Sequence, residues 1–119
     1  MTNVYLVGEA DCESDMLLAI YKDKDKALAA FQEHRLGLLE DAKRGFEHSK
    51  ESAKRMLEEN KNYEGKPWDE KMIVYLKNEV ENGDNMYLDM IKRLSEEDPK
   101  KIDNYPHDTP YLKEMEVIE

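Results

Sequence analysis

The sequence has little of what disulfide-bonded, zinc-binding or membrane proteins require. It contains one cysteine, Cys12, in 119 residues, so it cannot form an internal disulfide or a zinc site made of several thiolates. Its longest apolar run, 16–21, is far shorter than the roughly 20 residues of a membrane-spanning helix. The amino terminus also lacks the charged and then apolar pattern of a signal peptide. We therefore expect a cytoplasmic protein with no membrane segment.

Patterns typical of catalysis are also missing. His34 and His48 are 14 residues apart on one predicted helix, which is too far for both to bind one metal ion. Gly8 stands outside any glycine-rich phosphate-binding spacing, and the serines have no recognisable histidine and acid partners. We predict that the chain is not an enzyme and that it binds neither a metal ion nor another cofactor.

Strand patterns occur at the two ends of the chain. Residues 3–8 are rich in β-branched and aromatic side chains, and the apolar segment 16–21 follows after a polar turn, which is typical of a β-hairpin. Residues 111–118 form a third predicted strand, with Tyr111, Met115 and Val117 on one face. Together these segments predict a three-stranded antiparallel sheet.

Helix patterns fill the middle of the chain. Asp23 can cap a helix that runs to residue 63, and a second helix is predicted over 67–97. Apolar and small residues recur along both at alternating steps of three and four, which indicates an antiparallel helical hairpin that turns at Gly65. On the second helix this seam consists of Ile73, Leu76, Val80, Gly83, Tyr87, Met90 and Leu94.

The position of the turn at Gly65 predicts the register of the hairpin. Pairing about the turn places Phe46 near Tyr87 and Ser49 near Gly83, so small residues meet where the helices approach closely. Gly45 is expected to lie off the seam, where alanine would stabilise the helix because glycine costs up to about 1 kcal/mol.

We interpret residues 1–119 as one α+β domain. Residues 1–36 and 109–119 form the sheet and its packing helix, and 38–97 form the protruding hairpin. The side chains expected to pack on the strands are Ala27, Leu28, Ala30 and Phe31.

Acidic residues are in excess. There are 28 against 18 basic residues, which gives a formal net charge of -10. The excess lies in 1–23 and 65–98, whereas 24–64 has nine residues of each sign. An acidic surface repels nucleic-acid phosphates and attracts basic grooves. We therefore predict a protein partner with a basic groove and no direct contact with DNA or RNA.

Two segments supply candidate residues for such a partner, the turn after the first strand and the second helix. A role of these charges in solubility alone stays open. The candidate acids are Glu9, Asp11, Glu13 and Asp15 in the turn and Glu79, Glu81, Asp84 and Asp89 on the helix.

The apolar stripe of the second helix is wider than a two-helix contact needs, because Met72, Tyr75 and Met86 lie beside the seam. The sheet or the segment 100–110 can cover these side chains. They can also bind a second copy of the chain or another protein, since methionine adapts to irregular surfaces.

Three segments carry a resemblance to a known group of proteins: Val-Tyr-Leu-Val at 4–7, the strand-to-helix junction 20–27 and the closing segment 114–119. They resemble small uncharacterised bacteriophage proteins with a strand-strand-helix-strand plan, into which 38–94 would be an insertion. The resemblance implies an accessory phage protein, and acidic proteins of this class resemble inhibitors of host defence, including anti-CRISPR proteins. It identifies no functional residue.

Three functional hypotheses follow. The first is a protein-binding inhibitor, encoded by a phage, that presents its acidic surface to a host defence or nucleic-acid-binding protein. The second is a self-associating structural protein whose helical hairpins pair into a four-helix bundle. The third is a small enzyme or a small-ligand binder.

Overall fold

The secondary structure confirms the predicted fold class. The computed structural model describes residues 2–10, 16–62, 70–102 and 109–118. It shows an α+β protein with a three-stranded antiparallel sheet, a long helix and a helical hairpin. In chain order the elements are β1 (Thr2–Ala10), β2 (Met16–Tyr21), α1 (Lys24–Asn62), α2 (Glu70–Asn82), α3 (Asn85–Leu94) and β3 (Thr109–Val117).

The sheet has the order β2-β1-β3, so the first strand is central. Val7 of β1 lies opposite Ala19 of β2 on one side and Leu112 of β3 on the other. A β-bulge follows, because Gly8 pairs with Leu17 and leaves Leu18 as the extra residue of β2. Both pairings are antiparallel, as the sequence predicts.

The chain divides into two compact units, 1–40 with 92–119 and 41–91. The core of the first unit consists of Val7, Ala27 and Phe31, all buried, so the start of α1 packs on one face of the sheet. Leu28, which we expected on the same helix face, is 37% exposed, and that part of the prediction is wrong.

The beginning of α1 has the predicted cap. The Asp23 carboxylate accepts hydrogen bonds from the backbone N–H groups of Asp25 (2.8 Å) and Lys26 (3.3 Å). These donors have no partner inside the helix, so the cap stabilises its first turn.

A buried arginine connects α1 to the end of α3 inside the first unit. The Arg35 side chain is 4% exposed; its Nη1 donates to the Leu94 carbonyl at 2.7 Å, and its Nε donates to Gln32 at 2.7 Å. Gln32 in turn donates to the Glu97 carbonyl at 2.7 Å. A positive charge at the carboxyl end of a helix satisfies free carbonyls and complements the helix dipole.

We call residues 70–94 the second arm of the hairpin. This arm consists of two helices, α2 and α3, rather than one. Gly83 has a φ of 76°, a left-handed conformation that ends α2 after its N–H has donated to the Glu79 carbonyl. The Asp84 carboxylate then accepts from the Met86 N–H at 2.8 Å and caps α3. The predicted continuous helix over 67–97 is therefore wrong at this point, and its first residues, 67–69, lie outside the described part of the chain.

The seam of the second arm is confirmed, because each of its seven residues is buried or partly buried. Its detailed pairing differs from the prediction. A Cβ atom added at Gly83 would overlap the Phe46 ring, and one added at Gly45 would overlap the Tyr87 ring. Each arm thus places an aromatic ring on a glycine of the other, and the expectation that Gly45 lies off the seam is wrong.

Candidate protein-interaction surface

Two of the candidate acids on the second arm have local structural partners. Asp84 caps α3, and Glu79 accepts a hydrogen bond from the Tyr75 hydroxyl at 2.6 Å. That hydrogen bond and the negative charge of Glu79 raise the pKa of Tyr75 above its ordinary value of 10.0. Glu81 and Asp89 are exposed on α2 and α3. These two are the acids of this arm best placed for an outside partner.

The acidic turn is described only at its first residue. Asp11, Glu13 and Asp15 lie outside the described residues. The Glu9 side chain is 14% exposed, and its Oε2 lies 3.3 Å from Nε2 of His34 on α1. Glu9 therefore lies against the helix of its own unit.

The candidate self-association residues are accessible. Met72, Tyr75 and Met86 are 39%, 54% and 57% exposed, and Val74 beside them is 67% exposed. These values leave all three side chains open to solvent in the described structure. A contact through this arm therefore stays a hypothesis.

A second apolar surface lies on the sheet. Side chains alternate between the two faces of a strand, so Val7 and Leu112 in the core place their neighbours on the opposite side. The register aligns Leu6 with Ile20 and Val4 with Met115 on that side. We call this side the open face. Its larger aliphatic residues are Val4, Leu6, Leu17, Leu18, Ile20, Met115 and Val117.

The open face is accessible as well as apolar. Ile20, Met115 and Leu18 are 58%, 52% and 48% exposed, and Val117 is 40% exposed. Antiparallel sheets that are covered by a helix on one side usually present polar residues on the other. Large exposed apolar patches mark interaction sites in soluble proteins.

The acids of the sheet lie on the face that α1 covers. Asn3 donates to Glu114 at 2.8 Å near the end of that face, and Glu9 contacts His34 there. Among the strand positions of the open face the one charged residue is Lys113, whose ammonium group lies 4.5 Å from the centre of the Tyr111 ring. The acids of the sheet thus share a face with the core, whereas the opposite face is mostly apolar.

Gly8 allows Tyr111 to lie flat at the end of the open face. The two residues are paired across β1 and β3, and a Cβ atom at Gly8 would overlap the tyrosine hydroxyl and the Met16 carbonyl. Any larger residue at position 8 would displace Tyr111 or the edge of β2.

A pocket of about 390 Å³ lies beside the start of β3. None of its described lining residues carries a carboxylate. Its lining residues are Ala10, Pro99, Ile102, Thr109, Pro110, Tyr111, Leu112 and Lys113.

The described residues contain no group of three or more His, Cys, Asp or Glu side chains arranged to hold a metal ion. No helix within the described ranges is long and apolar enough to cross a membrane. Comparison with protein-family models, with characterised proteins and with solved structures finds no match.

Sequence reasoning identified the acids and the methionine-rich arm but missed the open face. A signal is present in the sequence, because 16–21 has no polar alternation and the pattern of 111–118 predicts Tyr111, Met115 and Val117 on one side. The strand pattern alone does not tell which side of the sheet the helix covers.

Proposed function

We propose that this chain is a protein-binding module that docks through the open face of its sheet. The observation that carries the proposal is the exposure of Ile20, Met115 and Leu18 on the face opposite to α1. Aliphatic side chains can exclude water from a partner, but they supply no nucleophile and move no proton. Binding is therefore the activity that this surface supports.

The test of this function is capture by the immobilised protein from an extract of its source. We expect Ile20→Lys to abolish retention of the bound protein, because burying an unpaired ammonium group is costly. The matched control is Val74→Lys, which changes an exposed aliphatic residue on α2 in the same way. Equal retention by the unmodified chain and both variants would contradict a role of the open face.

The acidic second arm favours a second candidate function. In that proposal the chain is a phage-encoded inhibitor that offers Glu81 and Asp89 to the basic groove of a host defence or nucleic-acid-binding protein. Both residues are exposed, and acids that are paired with a basic surface increase the association rate. The resemblance to phage accessory proteins supports the same idea.

A charge-reversal variant tests the acidic surface. We expect the double variant Glu81→Lys and Asp89→Lys to slow association with a basic partner and to reduce its salt dependence. Asp84 should not be reversed in the same experiment, because losing its cap would alter α3 itself. Unchanged association kinetics in the double variant would contradict the inhibitor hypothesis.

A further inference from the structure

We propose that the partner of the open face is a second copy of this chain, bound sheet to sheet. This inference rests on the proposed function and names its partner. Each copy would contribute the same patch, which is the arrangement of a two-fold homodimer. The aliphatic side chains of the two faces would interdigitate between sheets that lie about 10 Å apart.

The charge distribution supports a second copy. The chain has 28 acidic residues, yet the open-face positions of the three strands carry none. Two copies can therefore meet here without placing carboxylates against carboxylates, although each has a formal net charge of -10. A basic partner would find no acid on this face, so it has no electrostatic reason to bind there.

Aliphatic residues occur on every strand of the open face. Leu6 on the central strand lies between Ile20 on one edge strand and Lys113 on the other, and Met115 follows two residues later. Stacking with strands nearly aligned thus places aliphatic groups opposite aliphatic groups across most of the face. Lys113 belongs to an edge strand, where its stem can cover apolar surface while its ammonium group reaches water.

The size of the face predicts a weak dimer. Three strands about 4.8 Å apart and up to nine residues long, at about 3.3 Å per residue, give a face of roughly 400 Å². Two such faces bury about 800 Å², which is below the roughly 1,000 Å² that specific, stable interfaces exceed. We therefore expect association in the micromolar range of concentration or above.

Sedimentation equilibrium over about 1 to several hundred micromolar protein tests the proposal. We expect the mass of the unmodified chain to rise from 14.0 kDa toward twice that value. Ile20→Lys should raise the dissociation constant about tenfold or more, whereas Val74→Lys should leave it unchanged. A chain that stays monomeric throughout would overturn the proposal.

Two further outcomes are decisive. If Val74→Lys abolishes the dimer and Ile20→Lys does not, self-association belongs to the second arm of the hairpin. This result would overturn the sheet-to-sheet dimer. If Ile20→Lys loses its native circular dichroism spectrum, Met115→Lys on the other edge strand replaces it, with the same expected result.

The capture experiment separates this proposal from the proposed function. The chain could be monomeric and still capture another protein, and Ile20→Lys could abolish that capture. This result would contradict the sheet-to-sheet dimer but support the binding module. A monomeric chain whose capture is the same in both variants would contradict both.

Discussion

Two glycines of α1 and the glycine between α2 and α3 have different surroundings, and these decide what an added methyl group would do. Gly37 of α1 has no atom within 4 Å of the place where its Cβ would lie. Gly45 of the same helix lies beneath the Tyr87 ring. Gly83 lies beneath the Phe46 ring and has a left-handed conformation as well.

Alanine at these glycines should therefore change stability in opposite directions. We expect Gly37→Ala to raise the free energy of unfolding by up to about 1 kcal/mol, because alanine favours the helix. Gly45→Ala should lower it by about 1 kcal/mol or more, since overpacking costs about 1 to 3 kcal/mol. Gly83→Ala should lower it further, because the left-handed conformation costs about 1 to 2 kcal/mol for a non-glycine residue.

Urea denaturation of the three variants measures these differences. A Gly45→Ala protein as stable as Gly37→Ala would mean that Tyr87 does not rest on Gly45. The sequence could not predict this sign, because Gly45 belongs to no apolar repeat and its aromatic neighbour is 42 residues away along the chain.

Arg35 is a buried structural residue whose removal should be costly. We expect Arg35→Met to lower the free energy of unfolding by about 1.5 to 3 kcal/mol, because the Leu94 carbonyl would lose a charged donor. The control is Arg44→Met, which removes an exposed pair with Asp41 and should change stability by less than about 1 kcal/mol. Equal effects of the two changes in urea denaturation would contradict the role of Arg35.

At the scale of elements, the strands and α1 were predictable because each has a strong local signal. Asp23 marks the start of α1, β-branched and aromatic residues mark β1, and apolar residues on one face mark β3. The break between α2 and α3 was missed because Gly83 also fits the seam at helical spacing. The sequence Gly-Asp at 83–84 was the available signal, since glycine ends helices and aspartate begins them.

The break makes Asp84 a cap rather than a free surface charge. We expect Asp84→Ala to lower the free energy of unfolding by about 0.5 to 2 kcal/mol, because the first turn of α3 would lose its side-chain acceptor. Asp89 lies in the same helix and is exposed, so Asp89→Ala should change the free energy of unfolding by less than about 0.5 kcal/mol. Thermal unfolding followed by far-ultraviolet circular dichroism measures both, and a larger effect at Asp89 would contradict the assigned cap.

At the scale of the whole molecule, the fold class followed from the sequence but the proposed binding surface did not. A strand such as Met16–Tyr21 is apolar on both sides, so its pattern fits a core and an interface equally well. Only the position of Ala27 and Phe31 against Val7 shows which side α1 covers. The apolar side left exposed is then the candidate site.

The open face also changes how the acidic composition is understood. No strand position of this face is acidic, so two copies can meet at this apolar patch although each has a formal net charge of -10. Self-association therefore does not require the methionine-rich helical arm. The two surfaces can be distinguished because each contains an exposed methionine, Met115 on the open face and Met86 on α3.

The rate of methionine oxidation tests binding at the open face most directly. The protein is treated with excess peroxide at increasing protein concentration, and peptide mass spectrometry measures the oxidation of each methionine. Met115 and Met86 are 52% and 57% exposed, so each serves as the reference for the other. We expect the oxidation rate of Met115 to fall as the concentration rises through the micromolar range, while the rate of Met86 stays constant. A Met115 rate that is independent of concentration, or a fall at Met86 instead, would contradict the sheet-to-sheet dimer.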